Sequence, residues 1–389
     1  MQLRQPESDD SNPSLMDLVA GEIERDGPMT FARFMEIVIS DPEHGYYASS
    51  AHRAGRSGDF LTAPETHFIF GWLVARQIRE CWDRLGRDQK LIVSEHGAGR
   101  GALGLQILDW FSRHPPDGLE SLAYRVDDLN PGHSSAIERA VEQQGNDSPV
   151  SVEPAAPGSF TGVVIANEFL DALPFHRLKL EDGQIRELYV TVKDGWFDHE
   201  VGELSDAASG ALDLDIQADD GQRFEFCPAI EDWFQQIGRQ LERGYVLIFD
   251  YGDERDALLD VQRFPGGTLK TYRQHQVGDD PFQDIGQRDI TAHVDFTLVE
   301  SAARGNGFRV EGITSQAEFV AGVGLDEVLL EIQGRADAAS EYPAARAAAM
   351  ELLNPGGLGR FRVAILSRNV DDQAPLKGLA FRLPALNRR

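Results

Sequence analysis

The chain has 389 residues, 41% of them hydrophobic, which is enough for one elaborated domain or two smaller ones with a sizeable core. Its formal net charge of −27 argues against a nucleic-acid partner, because contacts to a phosphate backbone rely on clustered Lys and Arg. Two cysteines, Cys81 and Cys227, lie far apart and indicate neither a disulfide framework nor a thiolate metal site, and the histidines show no metalloprotease spacing, so no metal is expected.

The opening MQLRQPESDDSNPS is acidic and lacks the basic start and apolar centre of a signal peptide. No apolar run approaches the length that spans a bilayer. The expectation is a soluble cytoplasmic protein without membrane insertion. Residues 14–40 predict two helices broken at Gly27-Pro28, with Thr30 capping the second. Two loops come next, Asp41-Pro42-Glu43-His44-Gly45-Tyr46-Tyr47 and Gly58-Asp59-Phe60-Leu61-Thr62-Ala63-Pro64-Glu65, mixing aromatic, acidic and glycine residues as functional loops do. Turn chemistry with packed aromatics is the alternative for any one of them. Ile69, Leu73, Ile78, Trp82 and Leu85 then form one helical stripe.

Leu91-Ile92-Val93 reads as a strand buried on both faces. Glu95 and three alternating glycines, Gly97, Gly99 and Gly101, lead into Leu103, Ile107, Leu108 and Phe111 at helical spacing. A glycine turn joining strand to helix lets a ligand approach the backbone and aims free N–H groups at it, as nucleotide-type cofactors require. The pattern suits a dinucleotide or S-adenosyl-L-methionine (SAM), and a bare tight turn is a further alternative. The next strand, Ala123 to Val126, ends in Asp127-Asp128, where an acid for ribose hydroxyls belongs. Strand alternation allows only one of them to face a cofactor.

Gly162 to Ala166 forms a fourth buried strand running into Asn167-Glu168-Phe169-Leu170-Asp171. Side chains at such a strand end line the ligand crevice of an open α/β sheet. Asn167, Glu168 and Asp171 there can orient a donor-rich nucleophile, while helix capping is the alternative for Asn167 or Asp171 taken singly. Residues 175–226 alternate β-prone runs with acidic turns and predict a β-hairpin insertion. After a helix over 229–242 and a strand at Tyr245 to Phe249, Arg263 to Arg288 reads as a long irregular loop, with Asp289 to Phe296 then opening a helix. His293 in that segment is taken as structural rather than as a base. Strands at Phe308 to Ile313 and Phe361 to Leu366 complete a set of seven, near 91, 123, 149, 162, 245, 308 and 361, with an antiparallel pair allowed at one edge.

DPEHGYY (41–47), GDFLTAPE (58–65), EHGAGRG (95–101), NEFLDALP (167–174), DYG (250–252) and DITAHVDF (289–296) occur in an order that resembles the MidA-like methyltransferases, relatives of a mitochondrial complex I assembly factor that methylates an arginine. The resemblance covers about residues 14–368. It implies a SAM-methyltransferase-like α/β fold, a doubly wound, mostly parallel seven-stranded sheet with an N-terminal helical extension and a β-hairpin insertion. It further implies SAM as cofactor, held by Glu95, Gly97, Gly99, Gly101 and Asp128, and Asn167 at the end of the fourth strand is added to that set from its position. The implied partner is a protein, with a respiratory-chain subunit as candidate. Asp128-Leu129-Asn130-Pro131 stands where the family has Glu-x-Ser-Pro, and Ala98 replaces a more usual Pro.

The expected division is 1–88 as helical extension with lid loops, 89–174 as the first half of the cofactor core, 175–226 as insertion, 227–370 as the second half, and 371–389 as a weakly patterned tail. Catalysis is assigned to Glu168 and Asp171, which share a helix face only if Phe169 to Ala172 is helical. The rivals are a non-catalytic SAM-binding assembly factor and a nicotinamide-dependent oxidoreductase.

Overall fold

The computed structural model describes residues 9–48, 62–87, 90–115, 122–128, 134–143, 150–154, 158–213, 216, 219–371 and 374–383. Packing divides the chain into two units. The first comprises Met1–Phe60, Leu170–Trp233 and Gly252–Val299; the second comprises Leu61–Phe169, Phe234–Tyr251 and Glu300–Arg389.

The second unit is built on seven strands: β1 (Leu91–His96), β2 (Leu122–Asp127), β3 (Val150–Pro154), β4 (Phe160–Asn167), β5 (Leu241–Asp250), β6 (Arg309–Ser315) and β7 (Arg362–Arg368). Their spatial order is β6-β7-β5-β4-β1-β2-β3. All seven expected strands form. The sheet is parallel except for β7, which inserts between β5 and β6 and pairs antiparallel with both. Val163, Val164, Ile165 and Ala166 on β4 are at most 1% exposed, so a strand covered on both faces tolerates their unbroken apolar run. Helices Ile69–Arg84 and Ala102–Arg113 pack Trp72, Leu73, Ile107 and Leu108 into the same core as Val163, Leu247 and Phe249.

The first unit opens with α-helices Pro13–Asp26 and Phe31–Ser40. Asn12 caps one by accepting the Ser14 N–H, and Thr30 caps the other by accepting the Arg33 N–H at 3.1 Å, as expected. The β insertion is a four-stranded antiparallel sheet in the order Trp196–Gly202, Gln184–Lys193, His176–Glu181, Arg223–Phe226. Phe31, Phe34, Tyr46, Phe175 and Val190 form its core. The expectation of an irregular loop at 263–288 is corrected. Lys270–Arg273 and Gln276–Gly278 form a hairpin, joined by Asp289–Thr291, and the helix starts only at Phe296. Short strands of mixed polar composition carry too little periodicity to be read from sequence.

Candidate functional site

In the sheet order of the second unit, the chain leaves β1 toward β2 and β3 and returns as β4 on the other side of β1. This is a topological switch point, where the carboxyl ends of adjacent strands leave a crevice. The segments that leave β1 and β4 flank it.

After β1 the chain turns on Gly97, Gly99 and Gly101, with φ of +68, +52 and +77°, and Gly101 sits at the N-cap of the helix Ala102–Arg113. These left-handed values favour glycine. A Cβ at Gly97 would lie 2.7 Å from Phe169 Cδ2, whereas one at Gly99 would meet nothing within 4 Å among the described residues. The loop is therefore packed on Phe169 at its start and clear of the described residues at its middle glycine. A backbone cradle open at Gly99 fits a SAM-type ligand.

Glu95 is 2% exposed and accepts the Tyr124 hydroxyl at 2.8 Å. Burial pushes its carboxyl up to about 8, opposed by the Tyr124 bond and reinforced by the charge of Asp128. Asp127 and Asp128 take different surroundings. The carbonyl of Asp127 accepts the Gly97 N–H at 2.9 Å, and its carboxylate stands 3.5 Å from His96 Nδ1. The carboxylate of Asp128 accepts the Gly99 N–H at 3.0 Å, within the loop itself. Burial holds His96 below its usual range, against the pull of Asp127.

After β4, Glu168 bends the chain with φ +50° and donates its N–H to Phe249 O at 2.8 Å. Its Oε1 accepts from Asn167 Nδ2 and from the Ala63 N–H, each at 3.3 Å. Phe169 donates its N–H to Asp250 Oδ2 at 3.2 Å, and Asp250 is fully buried. Residues 168–172 are bend and turn, not helix. The condition that would put Glu168 and Asp171 on one helix face is corrected, because Glu168 stands at a left-handed φ of +50° and Pro174 disfavours helix two residues after Ala172. Asp171 belongs to the first unit, where it is 6% exposed and its carbonyl accepts the Ala292 N–H at 3.0 Å.

Two residues of this region escaped the reading of the sequence. Gln106 donates to Pro64 O at 2.6 Å and accepts the Gly71 N–H at 3.1 Å, tying the chain from Pro64 to Gly71 onto the glycine-loop helix. Nothing in the sequence marks it. Asp250 ends a buried strand, and the strand-end rule applied to DYG would have found it. Glu65, next to Pro64, has its carboxyl raised by burial against the pull of Arg100.

In the first unit, residues of two sequence motifs meet a third. Tyr47 of DPEHGYY donates its hydroxyl to Asp289 of DITAHVDF at 2.9 Å, and burial, then Asp289 and Asp171, raise the Tyr47 phenol well above its usual value. Tyr46 is fully buried, and Asp41 Oδ1 accepts the N–H groups of Glu43 and His44 at 3.0 and 2.8 Å. His293 donates its N–H to Thr268 Oγ1 at 3.1 Å and packs its ring on Phe264. The expected lid residues 49–61 and Leu129-Asn130-Pro131 lie outside the described residues. Among the described residues no helix is long and apolar enough to cross a membrane.

Comparison with known proteins bears on this geometry. The sequence profile of the S-adenosyl-L-methionine-dependent methyltransferases of the Methyltransf_28 type matches residues 73–314. A crystal structure from Burkholderia thailandensis bound to S-adenosyl-homocysteine superposes with a TM-score of 0.85 at 30% identity, covering 97% of this chain and 98% of that one. The protein arginine methyltransferase NDUFAF7 of Xenopus tropicalis mitochondria is 29% identical over 82% of this chain and 78% of its own length. Its Homo sapiens counterpart is 26% identical over 80% and 74%. These relatives are mitochondrial, which conflicts with a purely cytoplasmic protein and corrects the expectation drawn from the polar N-terminus.

Proposed function

The chain belongs to the family of SAM-dependent methyltransferases, with SAM as its cofactor, and from that premise we propose that it methylates an arginine side chain of a protein, a respiratory-chain subunit being the candidate acceptor. The observation that carries the reading is Glu168. Its carboxylate is fixed at the end of β4 beside the glycine loop by Asn167 and the Ala63 amide, on a backbone bent to φ +50°. Strained backbone at a crevice is a feature of functional positions. The names of the relatives, protein arginine methyltransferases, supply the acceptor chemistry.

Bound SAM supplies an electrophilic methyl on sulfonium. The protein supplies the rest. Gly97, Gly99 and Gly101 admit the ligand to the backbone, Asp128 accepts from ribose hydroxyls, and Glu95 and Asn167 complete the cradle. Arginine is protonated at neutral pH, so its nitrogen gains a methyl only as a proton leaves. Glu168 would hold the guanidinium by charge-assisted hydrogen bonds and accept that proton as the methyl leaves the sulfonium sulfur, which departs as the neutral thioether of S-adenosyl-homocysteine. Phe169, packed on Gly97, excludes water from the crevice floor.

The test is incubation of the purified protein with labelled SAM and a lysate, then mass-spectrometric mapping of the methylated residue. Label on arginine is the expected result. Label on another residue type overturns the acceptor, and SAM binding with no label transferred points to the assembly-factor alternative.

A further inference from the structure

The short helical turn Ala63–Thr66 bridges the two segments that flank the cofactor crevice. The Ala63 N–H donates to Glu168 Oε1 past the end of β4, while the Pro64 carbonyl accepts from Gln106 on the helix that follows β1. Ala63 and Pro64 are buried, and the Thr66 hydroxyl closes the turn by donating to Ala63 O at 2.7 Å. A turn fastened to both flanks holds its next side chain, that of Glu65, in a set place at the crevice.

The carboxylates around the glycine loop differ in what they accept. Glu95 takes the Tyr124 hydroxyl, Asp128 takes the Gly99 amide, and Glu168 takes donors from Asn167 and Ala63. Glu65 stands apart from these. Among the described residues none donates a hydrogen bond to it and none forms an ion pair with it; Arg100, between Gly99 and Gly101, acts on it through charge alone. Its Oε2 is buried, whereas Oε1 keeps access to solvent, so the group is half stripped of water and still open on one side. A carboxylate in that condition is stabilised by a cationic donor that arrives with a ligand.

SAM offers donors at its ribose hydroxyls, its adenine amine and the α-ammonium of its methionine end. The ribose falls to Asp128, the adenine amine is neutral, and the sulfonium is cationic but has no N–H to give. The α-ammonium is both cationic and donor-only, the match for an unengaged carboxylate. We propose that Glu65 binds the α-ammonium group of SAM, which makes the turn Ala63–Thr66 part of the cofactor site. Glu65 then fixes the methionine end of the ligand as Asp128 fixes the ribose. The sulfonium lies between those two groups in the ligand, so its methyl is positioned from both sides.

The experiment is calorimetry on the full chain with S-adenosyl-homocysteine and with its deamino analogue, in which hydrogen replaces the α-amino group. The wild type is expected to bind S-adenosyl-homocysteine roughly tenfold or more tightly than the analogue. E65Q is expected to lose that preference while binding the analogue within about threefold of wild type. An E65Q variant that keeps the wild-type preference overturns the proposal. A variant weakened equally toward both ligands overturns it too, since Glu65 would then only support the turn. Equal affinity of the wild type for the two ligands does the same, and that comparison stands even should E65Q fail to fold.

Discussion

The amide of Gly99 donates to the carboxylate of Asp128 across 3.0 Å, so the strand-end acid and the middle glycine of the cofactor loop are held as one piece. Asp127, one residue earlier, is turned to His96 instead. Replacing Asp128 by Ala is expected to weaken SAM binding by about 1–3 kcal/mol, through loss of charge-assisted hydrogen bonds and of the tether on the loop. Asp127→Ala is expected to cost clearly less. Isothermal titration with both variants checks this, and a larger loss at Asp127 would reverse the assignment.

The glycines of the loop should separate fold from binding. Gly97→Ala sets a Cβ 2.7 Å from the ring of Phe169 at a φ of +68°, and a loss of about 1–3 kcal/mol in unfolding free energy is expected. A Cβ at Gly99 meets none of the described residues but stands at a φ of +52°, so Gly99→Ala is expected to cost some stability through backbone strain and Gly99→Val to remove SAM binding by filling the space before the loop, at a larger cost in strain. Denaturant melts alongside ligand titrations distinguish the two; a Gly99→Val variant that binds SAM normally would contradict the open-cradle argument.

Glu95 gives a pH signature. Its carboxyl titrates near 4.5 when unfolded and is pushed up to about 8 by burial in the fold. Between those values the unfolded chain has released a proton that the folded chain retains, so stability is highest below the window and falls as pH rises through it. Glu95→Gln removes the titration. The melting temperature of this variant relative to wild type, without ligand, is expected to climb from pH 5 to pH 8. A difference that stays flat over that range would show that Glu95 is ionised in the folded protein.

Glu168 is expected to separate binding from chemistry. Glu168→Gln keeps an oxygen for the Ala63 amide and removes the charge that would hold a guanidinium. Affinity for S-adenosyl-homocysteine is expected to stay within a few-fold of wild type while turnover falls by roughly 10²-fold or more. Methylation at the wild-type rate would remove Glu168 from the mechanism, and lost affinity would move it to the cofactor cradle.

What the sequence determined by itself was local. The central strands at Leu91 to Val93, Gly162 to Ala166 and Tyr245 to Phe249 announce themselves as short apolar runs, and the glycines after Leu91-Ile92-Val93 announce a ligand turn, because burial on both faces and positive φ constrain composition at those very residues. The tertiary structure decided everything that depends on residues far apart in the chain. It placed β7 between β5 and β6, a choice set by edge pairing between segments that the sequence separates. It made 168–172 bend and turn, with Glu168 at a φ of +50° and the amides of Glu168 and Phe169 anchored on Phe249 and Asp250, some eighty residues on. It also brought Glu225 and Thr268 together beside Asp171 at one recess, a grouping without any periodic trace in the sequence, since contact there is set by packing and not by spacing.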